Sequence, residues 1–135
     1  MIGFPDETLH DFKQTIELNR KCLPDWMAVY IFYPYPGTEL YSLCKKRGLL
    51  NNKLDERMER RRAVLNQKTF KKKQIQKQFE WFYYNVYKDK KPLFKTLGHV
   101  LITKIFSHPE INIVYRNLTS LPFFKKFETY FDDSK

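Results

Sequence analysis

The first fifty residues alternate short apolar runs with amphipathic ones. Met1 to Pro5 is apolar and reads as the end of a buried strand, closed by a turn at Pro5-Asp6. Thr8 with Asp11 three residues on is a variant capping box, with Asp in place of the usual Glu or Gln. The helix it opens runs to about Cys22. Leu9, Phe12, Ile16 and Leu23 fall on one face, Lys13, Glu17 and Arg20 on the other, and Pro24 stops it. Trp26 to Tyr33 is continuously apolar and aromatic, short and bounded by prolines, which suits a strand covered on both faces. Pro34-Tyr35-Pro36-Gly37-Thr38 is a rigid turn, with Thr38 as N-cap of a second helix. That helix carries Leu40, Leu43 and Cys44 inward. Lys45, Lys46 and Arg47 suit its negative end, and Gly48 supplies the stop. Strand–helix–strand–helix is the repeat of an α/β fold, whose crossover is right-handed.

The pattern then changes. Residues 50–70 are polar and charged, around Arg60-Arg61-Arg62, and read as a surface helix or an irregular excursion. Lys71 to about Tyr87 predicts a helix with Ile75, Phe79, Phe82 and Val86 on one stripe. Pro92 opens another, carrying Phe94, Leu97, Leu101, Ile105 and Phe106 and ending before Pro109; Gly98 inside it weakens the pattern. That last stripe, with Lys91, Lys95 and Lys104 beside it, suits packing against neighbouring elements better than a membrane surface. Glu110 to Leu118 and Phe123 to Phe131 suggest two shorter helices. The chain therefore divides into an α/β unit over residues 1–50 and a basic linker with a helical extension over 51–135.

Composition narrows the function classes. A chain of 135 residues that is 42% hydrophobic and 17% aromatic can bury a real core. No apolar run is long enough to span a bilayer, and the N-terminus lacks a signal peptide's basic region. Cys22 and Cys44 lie far apart and outside any CxxC, which points to a reducing cytoplasm and away from a disulfide framework or zinc site. His10, His99 and His108 share no ligand spacing, so no metal site is expected; no nucleophile–base pairing and no Gly-rich phosphate loop is present, so no catalytic residue can be named. The net charge of +10 is local. Residues 45–77 hold 13 of the 25 bases and 3 of the 15 acids, an excess of 10, while the rest holds 12 of each. An RNA footprint would belong to that segment, although a solvated basic face is the commoner reading.

Two strand ends carry a family likeness. Met1-Ile2-Gly3-Phe4-Pro5-Asp6-Glu7-Thr8 and Phe32-Tyr33-Pro34-Tyr35-Pro36-Gly37-Thr38, in this order and at this separation, resemble radical S-adenosylmethionine proteins. The likeness is nearest to the subgroup with a cobalamin-binding domain ahead of the radical domain. Its pattern reads IGxPxET and then PxPGT, with Gly usual after the first Pro where this chain has Asp6. The likeness is strong over residues 1–50, weaker over 63–90, and absent beyond. It implies a partial parallel β/α barrel followed by a mostly helical tail. It also implies a 4Fe-4S cluster on a CxxxCxxC loop, and a cluster that reduces S-adenosylmethionine to a 5′-deoxyadenosyl radical. The two motifs resemble the fifth and sixth strands, near the cofactor's adenosine end.

No CxxxCxxC occurs here, so the chain reads as a piece of a longer enzyme, inactive alone: a split gene, a truncated product, or an internal start with Met1 an internal methionine. S-adenosylmethionine and the cluster, with cobalamin as a further candidate, would belong to the full-length parent. The partner would be the missing N-terminal part of the barrel; the substrate stays unknown. The cofactor-binding candidates that the resemblance implies are Ile2, Gly3, Pro5, Glu7, Tyr33 and Tyr35. Each has a structural alternative. Gly3 and Pro5 can simply shape a turn, and Glu7 can be a first-turn acid favoured by the helix dipole. Tyr33 and Tyr35 share a side by strand alternation and are the stronger candidates.

Overall fold

A computed structural model describes residues 1–50, 54 and 59–107; the two helices expected after Pro109 lie outside these. Four helices make up the described part: α1 (Leu9–Cys22), α2 (Glu39–Lys46), α3 (Lys72–Tyr87) and α4 (Leu93–Ser107).

The helix boundaries follow local chemistry. At α1, Thr8 Oγ1 accepts from the Asp11 amide at 3.2 Å, and Asp11 accepts from the Thr8 amide at 2.9 Å. The reciprocal pair satisfies two of the four orphan donors of a helix start. Leu23 closes the helix in a left-handed conformation, φ 43°, and Pro24 follows. Thr38 caps α2 by accepting from the Tyr41 amide at 3.2 Å. Gly48, φ 65°, ends it, as a residue free of a Cβ should. Gln74 steadies the start of α3 by accepting from the Lys71 amide at 2.9 Å.

The α/β expectation is overturned. Among the described residues there is no strand and no sheet, and therefore no partial parallel barrel. The two apolar segments meet in a single isolated parallel bridge, Ile2 to Ile31. The Ile2 amide donates to Tyr30 O at 2.9 Å and the Phe32 amide to Ile2 O at 2.7 Å. On its other edge the Ile31 amide donates to Arg60 O at 2.8 Å. A parallel ladder needs partners on both sides of each inner strand. Here irregular chain answers one of those edges. Nor is Trp26 to Tyr33 covered on both faces, since Trp26 is 71% and Tyr30 46% exposed. An apolar run of this length cannot show its number of covered faces by periodicity alone.

The core is helical. Phe12 and Ile16 of α1 meet Ile75, Phe79, Phe82, Val86 and Tyr87 of α3, with Ile2, Ile31 and Phe70 beneath. Phe12 is fully buried between the rings of Phe82 and Phe70, at 5.6 and 6.1 Å. A smaller cluster joins Phe32, Cys44 and Leu65 under α2. The α3 stripe is buried as expected. The α4 stripe is not. Thr96, Val100 and Ser107 are its buried residues, while Phe94, Leu97 and Leu101 face outward. The expectation that this stripe packs on its neighbours is corrected for Phe94, Leu97 and Leu101; Ile105 and Phe106 are half-buried, with Arg61 5.3 Å from the Phe106 ring centre.

Candidate functional site

The two motif-bearing segments are brought together by the Ile2–Ile31 bridge. Between them opens a cleft of about 310 Å³, lined by Met1, Phe4, Tyr30 to Tyr33, Tyr35, Leu40 and Arg60. Its walls are mostly aromatic. Phe4 lies on Phe32 at 4.9 Å, and Tyr33 meets Tyr35 edge-on at 5.2 Å. Arg60 is the cation of the cleft. Its guanidinium sits 5.9 and 5.8 Å from the Tyr30 and Tyr35 ring centres, a cation–π geometry. Arg60 Nε donates to the Tyr35 hydroxyl at 2.8 Å and pairs with Glu59 at 2.9 Å. Tyr35 Oη donates in turn to the Glu59 carboxylate. The Tyr35 hydroxyl, foremost, holds the Arg60 guanidinium above its ordinary pKa, so it stays charged.

The six candidates separate into two groups. Tyr33 and Tyr35 line the cleft. Ile2 is fully buried in the main core. Gly3 has φ 85°, and a Cβ there would meet Ile75 Cδ1 and Cγ2 at 3.2 Å. Pro5 is half-buried and leads into Asp6, which has φ 69°. That left-handed conformation explains why glycine suits the position after the first Pro; Asp is among the few other residues that tolerate it. Asp6 also pairs with Arg47 at the end of α2. Glu7 accepts from the Gly3 amide and, at 3.2 Å, from the Phe4 amide. Burial raises its carboxyl above the usual value, with the two amide bonds pulling it back. Glu7 therefore staples the turn that carries Phe4.

Sequence reasoning missed Arg60, Tyr30, Phe4 and Leu40. Arg60 gave no signal because its pairing with residues 30 and 35 is set by the return of the chain. Among the described residues no group of three or more His, Cys, Asp or Glu could hold a metal ion. Cys22 is exposed at the end of α1; Cys44 is buried, which pushes its thiol pKa up. These residues do not fit an iron–sulfur cluster. The cleft presents aromatic walls and one guanidinium, itself engaged by Glu59 and Tyr35.

Comparison with known proteins gives partial matches. No family model matches the chain, and no solved structure matches it. It is 49% identical over 43 residues to the tRNA-2-methylthio-N(6)-dimethylallyladenosine synthase of Chromobacterium violaceum, 32% of this chain and 10% of that protein. It is 38% identical over 69 residues to the synthase of the same name from Hydrogenovibrio crunogenus, 51% of this chain and 14% of that one. Against an uncharacterized methyltransferase of Pyrococcus horikoshii it is 32% identical over 108 residues, 80% of this chain and 22% of the relative. The chain thus spans between 10% and 22% of the length of these curated relatives. At a coarse level the matches support the radical S-adenosylmethionine relationship that the two motifs imply; they do not extend to a cobalamin-using subgroup.

Proposed function

We propose that this chain is a C-terminal portion of a cytoplasmic radical S-adenosylmethionine iron–sulfur enzyme, and that its aromatic cleft is one wall of that enzyme's S-adenosylmethionine pocket. One observation carries the reading. The two segments that bear the family motifs are non-adjacent in sequence, yet they converge on one open cleft with Tyr33 and Tyr35 in its lining. Residues 1–50, joined by Arg60, supply the wall; the rest is a basic linker and a helical extension.

S-adenosylmethionine, when bound, supplies the reactive sulfonium. This chain's own residues bind and orient. Tyr30, Tyr33 and Tyr35 offer ring faces and edges to a base, and Arg60 offers its charge to a carboxylate that takes the place of Glu59. Gly3, Pro5 and Glu7 hold the Phe4 turn in place behind them. The cluster must be held by residues outside the described chain, since those here do not fit it. Catalysis by such a cofactor asks the protein mainly for positioning and exclusion of water.

The coding sequence upstream of Met1 tests the ancestry. An in-frame CxxxCxxC supports it, and a locus with none refutes it. The cleft is tested by titrating the chain with S-adenosylhomocysteine in a ¹H–¹⁵N NMR experiment. Amides of residues 30–33, 35 and 60 should shift, and Tyr35→Ala should weaken the response. An unchanged spectrum at millimolar ligand, about the weakest binding worth assigning, would remove the cleft from the cofactor site.

A second reading is RNA contact through residues 45–77. It is supported by the exposure of Lys45, Lys46, Arg61, Arg62, Lys68 and Lys73, and by the transfer RNA in two relatives' names. Affinity should then fall steeply with salt, and Ala at Arg61 and Arg62 should flatten the slope by about one unit per lost phosphate contact. A slope near zero excludes it.

A further inference from the structure

Helix α4 is built inside out. Its inward face carries Thr96, Thr103 and Ser107 with Val100. The three hydroxyls donate to carbonyls of their own helix, Leu93 O at 2.9 Å, His99 O at 2.8 Å and Thr103 O at 2.8 Å. A hydroxyl so satisfied can be buried against α3 at little cost. The outward face carries Leu93, Phe94, Leu97 and Leu101, which are 58, 65, 42 and 61% exposed. At 3.6 residues per turn these four span an arc of about 100°, on a helix about 22 Å long. Lys104 falls inside the same arc and is exposed, with its Nζ 5.5 Å from the Trp81 ring centre.

Charge decides what such a face fits. From Lys90 to Ser107 the chain has four lysines and no acid, one of them, Lys91, being held on α3 by its bond to the Tyr83 hydroxyl at 2.9 Å. Lys88 precedes them, Asp89 between is paired to Arg20, and the next acid in sequence is Glu110. A second copy of this face would set the same lysines against one another. A lipid surface bearing anionic headgroups answers both features: leucines and phenylalanine enter the acyl boundary, and lysines reach back to the headgroups. We propose that α4 docks the protein on an anionic membrane surface through Leu93, Phe94, Leu97 and Leu101, held by the flanking lysines. The contact is peripheral, since no helix among the described residues is long and apolar enough to cross a membrane.

The test is sedimentation of the 135-residue chain with phosphatidylcholine vesicles, with and without about 30% phosphatidylglycerol. The chain should co-sediment with the anionic vesicles and bind neutral ones at least about tenfold more weakly. Raising salt from about 0.1 to about 0.5 M should release it. Leu97→Glu with Leu101→Glu should lower the partition coefficient about tenfold or more and leave the far-UV circular dichroism unchanged, because both side chains are exposed. Lys95→Gln with Lys104→Gln should lower it less. Absence of binding to anionic vesicles overturns the proposal, as does binding that survives the two glutamates. A monomer–dimer equilibrium abolished by those glutamates, without vesicle binding, would give the face to a second copy instead.

Discussion

Replacing Gly3 with alanine should destabilise the fold by about 2–3 kcal/mol. Two contributions add. Gly3 sits at φ 85°, and holding an L-residue in that left-handed half of backbone space costs about 1–2 kcal/mol. The new Cβ would also lie 3.2 Å from both Cδ1 and Cγ2 of Ile75. Ile75 is 1% exposed in the main core, so it has little room to yield, and tight overpacking of this kind costs about 1 kcal/mol or more. The two contributions separate in a double-mutant cycle with Ile75→Val, which alone should cost about 0.5–1.5 kcal/mol. That change removes Cδ1 and leaves the backbone strain untouched. Gly3→Ala should then cost about 0.5–1 kcal/mol less in the Ile75→Val background than in the wild type. Urea denaturation followed by the fluorescence of Trp81 on α3 reads all four corners. A cost below about 0.5 kcal/mol, or one identical in both backgrounds, would refute the packing account. Gly3 would then be a residue kept small for a ligand's approach, and loss of cofactor binding at unchanged stability would be its signature.

Three further outcomes follow from the same geometry. Thr38→Ala removes the acceptor of the Tyr41 amide at the start of α2 and should cost about 1 kcal/mol in thermal melts, whereas Thr38→Ser should cost little; equal losses from both would sink the capping role. Gln67 is buried with neither end of its carboxamide bonded, so Gln67→Leu should raise the urea midpoint by an amount equivalent to about 1–3 kcal/mol, and a fall in the midpoint would show that the amide has a partner. Glu7 gives a pH signature: its folded carboxyl is raised above the ordinary 4.5, chiefly by burial, so its stabilising contribution is complete below that value and is lost as pH rises through the raised one. The wild type should therefore lose stability relative to Glu7→Gln across that interval, and a wild-type advantage that grows with pH contradicts it.

Legibility in the sequence was uneven, for identifiable reasons. The capping box at Thr8 and Asp11 and the cap at Thr38 could be read because they are contacts between residues three apart. The α3 stripe could be read because a 3.6 period shows one buried face. The expected sheet failed because Trp26 to Tyr33 has no periodicity that counts its covered faces, and the edges of that run are answered by Ile2 and Arg60 from elsewhere in the chain. At α4 periodicity found an apolar stripe, but Phe94, Leu97 and Leu101 of it turn outward while Ile105 and Phe106 are half-buried. A hydrophobic arc says that a face is distinct, not which face the protein turns inward, and three self-bonded hydroxyls made the opposite face fit for burial.

The candidate site shows the same division. Motif likeness singled out Tyr33 and Tyr35, and they do line the cleft. Ile2, Gly3, Pro5 and Glu7, named by the same motif, went to the core and the turn behind it. Arg60 entered the cleft unannounced, since its tyrosine partners lie 25 and 30 residues away in sequence. The sequence by itself determined the helix starts and stops, the α3 seam, the local basic charge and the absence of a cluster-binding cysteine triad, all properties of spacing or count. Tertiary structure alone decided that the two motifs close an aromatic cleft without a sheet, and that α4 turns its leucines to the outside. Both depend on which distant residues satisfy a backbone edge or cover a face, and no local period encodes that choice.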